Sequence, residues 1–384
     1  MSIINDDKNY ISNTYARFPL AIVKGKGAKA YDEAGKEYID LGSGIAVNAF
    51  GYSDDEWVSA VTEQLTKVQH ASNLYYTEPC VNLAKMLCEK TGAKKVFFGN
   101  SGAEANECAI KVARKYAEDK GIEGAKIVTL ENSFHGRTLA TLAATGQDVF
   151  HKSFLPLPDG FCHIKAGDTE AFKNLAENEK IAAIMMEMVQ GEGGVMPLTE
   201  DFVKEVCNIA KEKDILVIVD EVQTGNGRCG ALYAYMNYGI TPDVVTTAKG
   251  LGGGLPIGCC MMFEKTENVL KAGDHGSTFG GNPIASAGAV SVLSRLDDKL
   301  FSEVREKSDM IFTAFTDCKG VKSISGQGLM IGIETEKDAS EVIAECREKG
   351  VLVIKAKNKV RLLPPLNITK EELSKAIDVI KSCL

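Results

Sequence analysis

The sequence predicts an α/β protein: a doubly wound, mostly parallel sheet followed by a smaller α+β unit. Two observations carry this. The runs AKIVTL (125–130), IAAIMMEMV (181–189), ILVIV (215–219), DVVTTA (243–248) and GCCMMF (258–263) are apolar on both faces instead of alternating, as strands covered on both sides must be. Segments of helical periodicity fall between several of them, which is the order expected of helices packed on both faces of a parallel sheet.

Taken in order, residues 56–70 and 79–90 read as helices, then Lys95–Phe98 as a short strand running into GNSGAEAN and a helix from Asn106 to Lys120. The strands at 125–130 and 181–189, a helix at 200–213, and the strands at 215–219, 243–248 and 258–263 follow. Asn282-Pro283 reads as an N-cap with Pro at the first helical position. Beyond it lie a helix near 301–317, the shorter strands KSIS, GLMIGIE, VLVI and VRLL, and helices near 338–349 and 370–382. The expected division is an N-terminal segment 1–45 packing with the small domain, a large domain 46–290 and a C-terminal small domain 291–384.

Composition narrows the function. A length of 384 residues is too much for a lone binding module. The net charge of −8, without any Lys/Arg run, argues against nucleic acid as a partner. The start, MSIINDDKNY, has no apolar signal core, and the longest apolar runs fall far short of the roughly 20 residues of a bilayer span, so a cytoplasmic protein without membrane contact is expected. Eleven Cys, none spaced as CxxC, read as reduced and mostly buried thiols, and the five His show no metal-ligand spacing, so no metal is expected.

In an open parallel sheet, ligands bind beyond the carboxyl ends of the strands. Three of these ends are unusual. Gly99-Asn100-Ser101-Gly102-Ala103 offers small residues and free amides at a helix start, where a phosphate is favoured; by itself it would be an ordinary glycine turn. Asp220 ends one strand, and Lys249 ends the next beside Gly250 and Gly252–Gly254. Their separation of 29 residues suits one crossover, which would set both on the same sheet edge. Either alone would be read as an N-cap or a solvated cation. Together they supply what pyridoxal phosphate needs: a phosphate cradle, an acid for the ring nitrogen and an amine for a Schiff base with the aldehyde.

Rival motifs fit less well. Gly225-Asn226-Gly227-Arg228-Cys229-Gly230 satisfies GxGxxG, but it starts five residues beyond Asp220, is followed by a poor helix former, ALYAYMNYG, and has no acid ending the next strand. The Gly-Lys pairs at 25–26 and 35–36 lack the rest of a P-loop, and Gly99–Ala103 misses the nucleophile elbow at its last position.

Several longer motifs occur in order: Ser101–Asn106 (SGAEAN), Ser133–Thr138 (SFHGRT), Gln190–Gly194 (QGEGG), Asp220–Gly225 (DEVQTG), Ala248–Gly250, Gly276–Pro283 (GSTFGGNP) and Val360–Leu366 (VRLLPPL). This series resembles the class III pyridoxal-phosphate aminotransferases from about Tyr15 to the C-terminus. Within the class, the compact length, the opening Tyr15–Pro19 and the run Asp40–Asn48 are similar to the acetylornithine aminotransferase branch. The resemblance implies an aspartate-aminotransferase-like (fold type I) architecture with a mostly parallel seven-stranded sheet, and a homodimer whose active sites lie at the subunit interface.

It also implies roles. Lys249 would carry the cofactor and move the proton, and Asp220 would pair with the pyridine nitrogen. Gly102 and Ala103 would hold the phosphate, with Thr278 reaching it from the other subunit; Phe134 would stack on the ring, and Val222 and Gln223 would pack near its other face and phenolic oxygen. Arg137 and Ser277 would contact an acylated ornithine, while Arg361 would take the α-carboxylate of glutamate and Glu192 would neutralise Arg361 when it is not needed. The implied reaction transfers the terminal amino group of N-acetylornithine to 2-oxoglutarate, a step of arginine biosynthesis. Succinyldiaminopimelate, succinylornithine, ornithine and 4-aminobutyrate are the alternative donors. Two positions depart from the class pattern: Ala103 stands where Thr is usual, removing a hydroxyl from the cradle, and Met188 where Pro is common.

Overall fold

A computed structural model describes residues 3–384 of the protein. Its centre is a seven-stranded sheet in the order Lys95–Gly99, Gly258–Met262, Val244–Thr247, Leu216–Asp220, Ile181–Met186, Lys126–Leu130, Phe161–Ile164. Only Gly258–Met262 runs antiparallel to its neighbours. The strands ending at Gly99, Asp220 and Thr247 therefore present their carboxyl ends at one edge, as the three unusual strand ends require.

The continuous apolar runs have a direct cause. Alternate residues go to opposite cores: Ile184, Met186, Val217, Val219 and Val245 to one, and Ala183, Met185, Leu216, Ile218 and Val244 to the other. All six residues of Ile181–Met186 are buried. Each large side chain among them contributes about 1.5–3 kcal/mol by leaving water. Helix Gly102–Asp119 covers the second face with Cys108, Ala109, Val112 and Ala113, and Ser101 caps it by accepting the Glu104 N–H at 3.1 Å.

Beyond the helix Pro283–Ser294, an antiparallel sheet joins Val321–Gln327, Met330–Thr335, Lys359–Leu362 and Ile354–Ala356. The N-terminal strands Ile22–Lys26, Lys29–Asp32 and Glu37–Asp40 form a further sheet, completed by Val351–Leu352 running parallel to Glu37–Asp40.

Several expected elements differ. The run 181–189 is not one strand: it ends at Met186, because Glu187 turns the chain so that its carboxylate meets the N–H groups of Phe134 and Gly191, and Val189–Gln190 then starts a two-stranded hairpin with Met196–Pro197. VLVI is likewise split, Val351–Leu352 pairing with the N-terminal sheet and Ile354–Ala356 with Lys359–Leu362. The first helix of the expected pair stops at Leu65 rather than 70, while the helix expected from Asn106 starts at Gly102. Strand Phe161–Ile164 and helix Thr169–Asn178 were not expected. The strand is short and carries His163, though the helix had a readable cap in Asp168, which accepts the Ala171 N–H at 2.9 Å.

The crossover from Asp220 to Lys249 contains a 3-10 helix, Ala234–Tyr238, and no α-helix. The glycines of Gly225–Gly230 sit in buried turns, with Arg228 donating to the carbonyls of Leu329 and Pro364 at 3.0 and 2.5 Å. A dinucleotide fingerprint needs a helix opening at its glycines, and here there is none.

Candidate active site

At the shared strand ends lies a cavity of about 430 Å³, lined among others by Asn100, Gly102, Ala103, Phe134, Asp220, Val222, Gln223 and Lys249. Gly102 must be glycine, since a Cβ there would sit 2.6 Å from a γ-carbon of Val222. The amides of Gly102 and Ala103 belong to the first turn of helix Gly102–Asp119, whose N–H groups have no partner within the helix and attract an anion. A methyl group at position 103 leaves those amides unchanged.

Asp220 is buried and held from three sides. Oδ2 accepts from Asn106 Nδ2 at 2.7 Å and lies 2.8 Å from His135 Nδ1, while Oδ1 accepts the Val222 N–H at 3.0 Å. Asn106 is fixed in turn, since Thr246 Oγ1 donates to its Oδ1 at 2.6 Å and its Nδ2 also reaches the His135 carbonyl at 2.7 Å. His135 Nε2 is buried without a partner among the described residues. Sequence reasoning missed Asn106, His135 and Thr246, although the first two lie inside the quoted motifs SGAEAN and SFHGRT.

Lys249 follows strand Val244–Thr247 by two residues and has a φ of +43°, which a non-glycine residue adopts only under constraint from its surroundings. No hydrogen bond to its amine occurs among the described residues, and burial lowers its pKa from the usual lysine value, with Asp220 and Glu192 opposing the shift. Such an amine is held ready to be neutral.

Phe134 meets Phe150 edge to face at 6.0 Å, and the guanidinium of Arg137 lies 4.1 Å from the Phe150 ring centre. Arg137 is exposed, lines the cavity, and has no carboxylate partner among the described residues. Arg361 is buried; its Nη1 donates to Glu192 Oε1 at 2.6 Å and to Gln223 Oε1 at 3.1 Å, and its Nε has no partner. Ser277 stands one residue back from the cavity, accepting from Asn100 Nδ2 at 3.1 Å, and Thr278 is exposed and does not line it.

Two further buried carboxylates were missed. Burial pushes Glu187 and Glu221 up to about 7 each, despite the N–H and O–H groups that donate to them. Glu221 serves the fold, taking the Thr224 hydroxyl at 2.5 Å and the Tyr235 N–H at 2.7 Å. Glu187 faces the cavity.

Residues 10–384 match the family described as aminotransferase class-III. The chain belongs to the class III aminotransferases. The acetylornithine aminotransferase of Haemophilus ducreyi is 49% identical over 98% of this chain and 97% of its own length, and that of Caldanaerobacter subterraneus is 45% identical over 100% and 99%. Among solved structures, the ornithine aminotransferase of Toxoplasma gondii superposes with a TM-score of 0.95 at 32% identity, covering 99% of this chain and 93% of that one. The N-acetylornithine aminotransferase of Stenotrophomonas maltophilia gives 0.86 at 32%, covering 99% and 98%. As a class III aminotransferase the protein is a pyridoxal-phosphate-dependent transaminase. The site suits that cofactor: a helix start with free amides, a buried carboxylate, an unpartnered amine and an aromatic ring surround one cavity. Among the described residues no cluster of metal-binding side chains occurs, and no helix is long and apolar enough to cross a membrane.

Proposed function

We propose that the enzyme moves the terminal amino group of N-acetylornithine to 2-oxoglutarate, giving N-acetylglutamate 5-semialdehyde and glutamate, as a step of arginine biosynthesis. The observation that carries this is the full-length identity of 49% to an acetylornithine aminotransferase. The ornithine aminotransferase structure of Toxoplasma gondii superposes better than that of the Stenotrophomonas maltophilia N-acetylornithine aminotransferase, with a TM-score of 0.95 against 0.86, but both are only 32% identical.

The amides of Gly102 and Ala103 would hold the cofactor phosphate, Phe134 would stack on the ring, Val222 and Gln223 would pack against it, and Asp220 would take its nitrogen. When bound, pyridoxal phosphate supplies the electron sink for the charge left as a C–H bond beside the amine breaks. The chain's own part is proton transfer and selection. Lys249 Nζ, desolvated and without a partner, takes the proton from the substrate carbon and returns it. Asp220, fixed by Asn106 Nδ2, the Val222 N–H and the neighbouring His135, would hold the proton of the ring nitrogen.

Selection falls to the two arginines. Arg137, at the cavity and without a carboxylate partner among the described residues, receives the far carboxylate of the acylated donor, and Ser277 is assigned a further contact to that donor. Arg361 is masked by Glu192 while the terminal amine reacts, since that carbon bears no carboxylate; Glu192 swings away when the α-carboxylate of 2-oxoglutarate arrives. Glu192→Ala is expected to raise the rate with α-amino groups such as that of glutamate about tenfold or more and to slow the terminal-amine half-reaction. Single-turnover absorbance traces with each substrate check this, and traces unchanged in both halves contradict it.

The active form is proposed to be a homodimer in the cytoplasm. Thr278 adjoins Phe279, 60% exposed, and Asn73 donates to the carbonyls of Ser277 and Gly280, placing the exposed Leu74, Tyr75 and Tyr76 next to them. An exposed apolar surface of this kind suits a subunit contact that brings Thr278 to the neighbouring cavity. Eleven free thiols suit a reducing compartment. The domain boundaries proposed are those read from the sequence, with the pairing of Val351–Leu352 to Glu37–Asp40 supporting the union of segment 1–45 with the C-terminal domain.

A further inference from the structure

Glu187 is buried at the end of Ile181–Met186, where the strand breaks. Its Oε2 accepts the N–H of Phe134 at 3.0 Å, and its Oε1 accepts the N–H of Gly191 at 3.4 Å. Phe134 carries the ring expected to lie on the cofactor, and Gly191 precedes Glu192, the partner of Arg361. A single carboxylate thus reaches both the cofactor-stacking loop and the base of the turn that bears Glu192.

The surroundings leave that carboxylate few substitutes. Gly191 is pressed against Gln223, whose side-chain atoms lie 2.7 Å from where a Cβ would be, and Gly193 lies against the Asn132 carbonyl, 2.9 Å from its own Cβ position. Gln190 Nε2 donates to the Glu131 carbonyl at 2.9 Å, so the turn and the loop 131–134 are in contact along their length. Downstream, Gly194 and Val195 have φ of +103° and +55°, and the carbonyl of the buried Val195 accepts from Ser325 Oγ at 2.8 Å. The upstream end is tethered at Gly191, directly before Glu192.

We propose that Glu187 is a positioning residue that couples the two tasks of the site: it fixes the Phe134 loop over the cofactor and anchors the pivot on which Glu192 masks and releases Arg361. The proposal rests on the Glu192 reading given above. Both bonds are strongest to an ionised carboxylate, and protonation of either oxygen weakens its acceptance of an N–H. The titratable groups facing Glu187 are His135 from the Phe134 loop, Asp220 from the neighbouring strand end, and Lys249. Burial pushes Glu187 up to about 7, with His135 opposing and Asp220 reinforcing the rise. The carboxylate therefore predominates above that pH and is protonated below it, and the coupling weakens as the pH falls.

The test uses the holoenzyme and the Glu187→Gln variant, which keeps the shape but turns an NH2 toward one of the two N–H donors. Three quantities are read: pyridoxal-phosphate affinity of the apo-protein, the selectivity for a terminal amine over the α-amine of glutamate in single turnovers, and that selectivity from pH 6 to 8. Loss of a charged hydrogen-bond partner predicts about tenfold weaker cofactor binding and about tenfold lower selectivity in the variant. In the wild type, selectivity falls as the pH drops through 7; in the variant it is low and flat. A residue that merely supported the fold would lower the melting temperature without moving the pH profile. Affinity or selectivity within twofold of wild type overturns the coupling. If the variant does not fold, the wild-type profile decides: a fall below pH 7 supports the proposal, and constant selectivity overturns it. A wild type with no preference for any terminal amine would instead reject the Glu192 reading, while the affinity measurement still tests the Phe134 bond.

Discussion

Lys249→Ala protein is expected to fold, to bind pyridoxal phosphate without covalent attachment, and to lose turnover by on the order of 10⁴-fold or more, since the covalent anchor and the proton carrier are removed together. The reason is local. The other side chains of the cavity include no second amine, and Lys249 is the lysine that follows a buried strand at the cavity, with its amine unpartnered and its pKa lowered by burial. Borohydride treatment of the wild-type holoenzyme, followed by peptide mapping, places the reduced pyridoxyl group on Lys249. A label on another lysine contradicts the assignment.

Asp220→Asn should leave the fold intact and retain the cofactor, yet slow transamination by about a hundredfold or more, equivalent to roughly 3–4 kcal/mol of transition-state stabilisation. An amide cannot hold the ring nitrogen protonated. The substitution also leaves Asn106 Nδ2 and His135 Nδ1, at 2.7 and 2.8 Å, facing a neutral group, so the cofactor's absorbance should shift along with the rate. Near-normal turnover in a variant with cofactor bound contradicts the role.

What the sequence disclosed follows a physical rule. Strands buried on both faces leave unbroken apolar runs, so Ile181–Met186, Leu216–Asp220 and Val244–Thr247 were legible, and with them the edge where Asp220 and Lys249 meet. The end of a strand is decided by tertiary partners, which composition does not display. Met188-Val189 continues an apolar run, and only the two N–H groups waiting for Glu187 explain why the strand stops before it. VLVI is similarly divided because two different sheets compete for it.

The same rule applies to the site. Of the residues expected to touch cofactor or substrate, Gly102, Ala103, Asp220 and Lys249 were read just beyond or at strand ends, and the others were implied by family resemblance. The groups behind them act through one another, and their chemistry is visible only once the chain is folded: Asn106 and His135 around Asp220, and Glu187 between Phe134 and Gly191. A buried asparagine or glutamate in a motif reads as packing until its partners are known. Arg361 shows the reverse, because its pairing with Glu192 across 169 residues was implied by family resemblance, and the 2.6 Å contact is present.

The most direct measurement for the proposed function is a panel of kcat/KM values with 2-oxoglutarate as acceptor and N-acetylornithine, succinylornithine, succinyldiaminopimelate, ornithine and 4-aminobutyrate as donors. The account predicts that N-acetylornithine leads, with ornithine and 4-aminobutyrate at least about tenfold lower because they bring a carboxylate for Arg137 but no acyl group for the cavity to hold. A panel led by free ornithine or 4-aminobutyrate would contradict it.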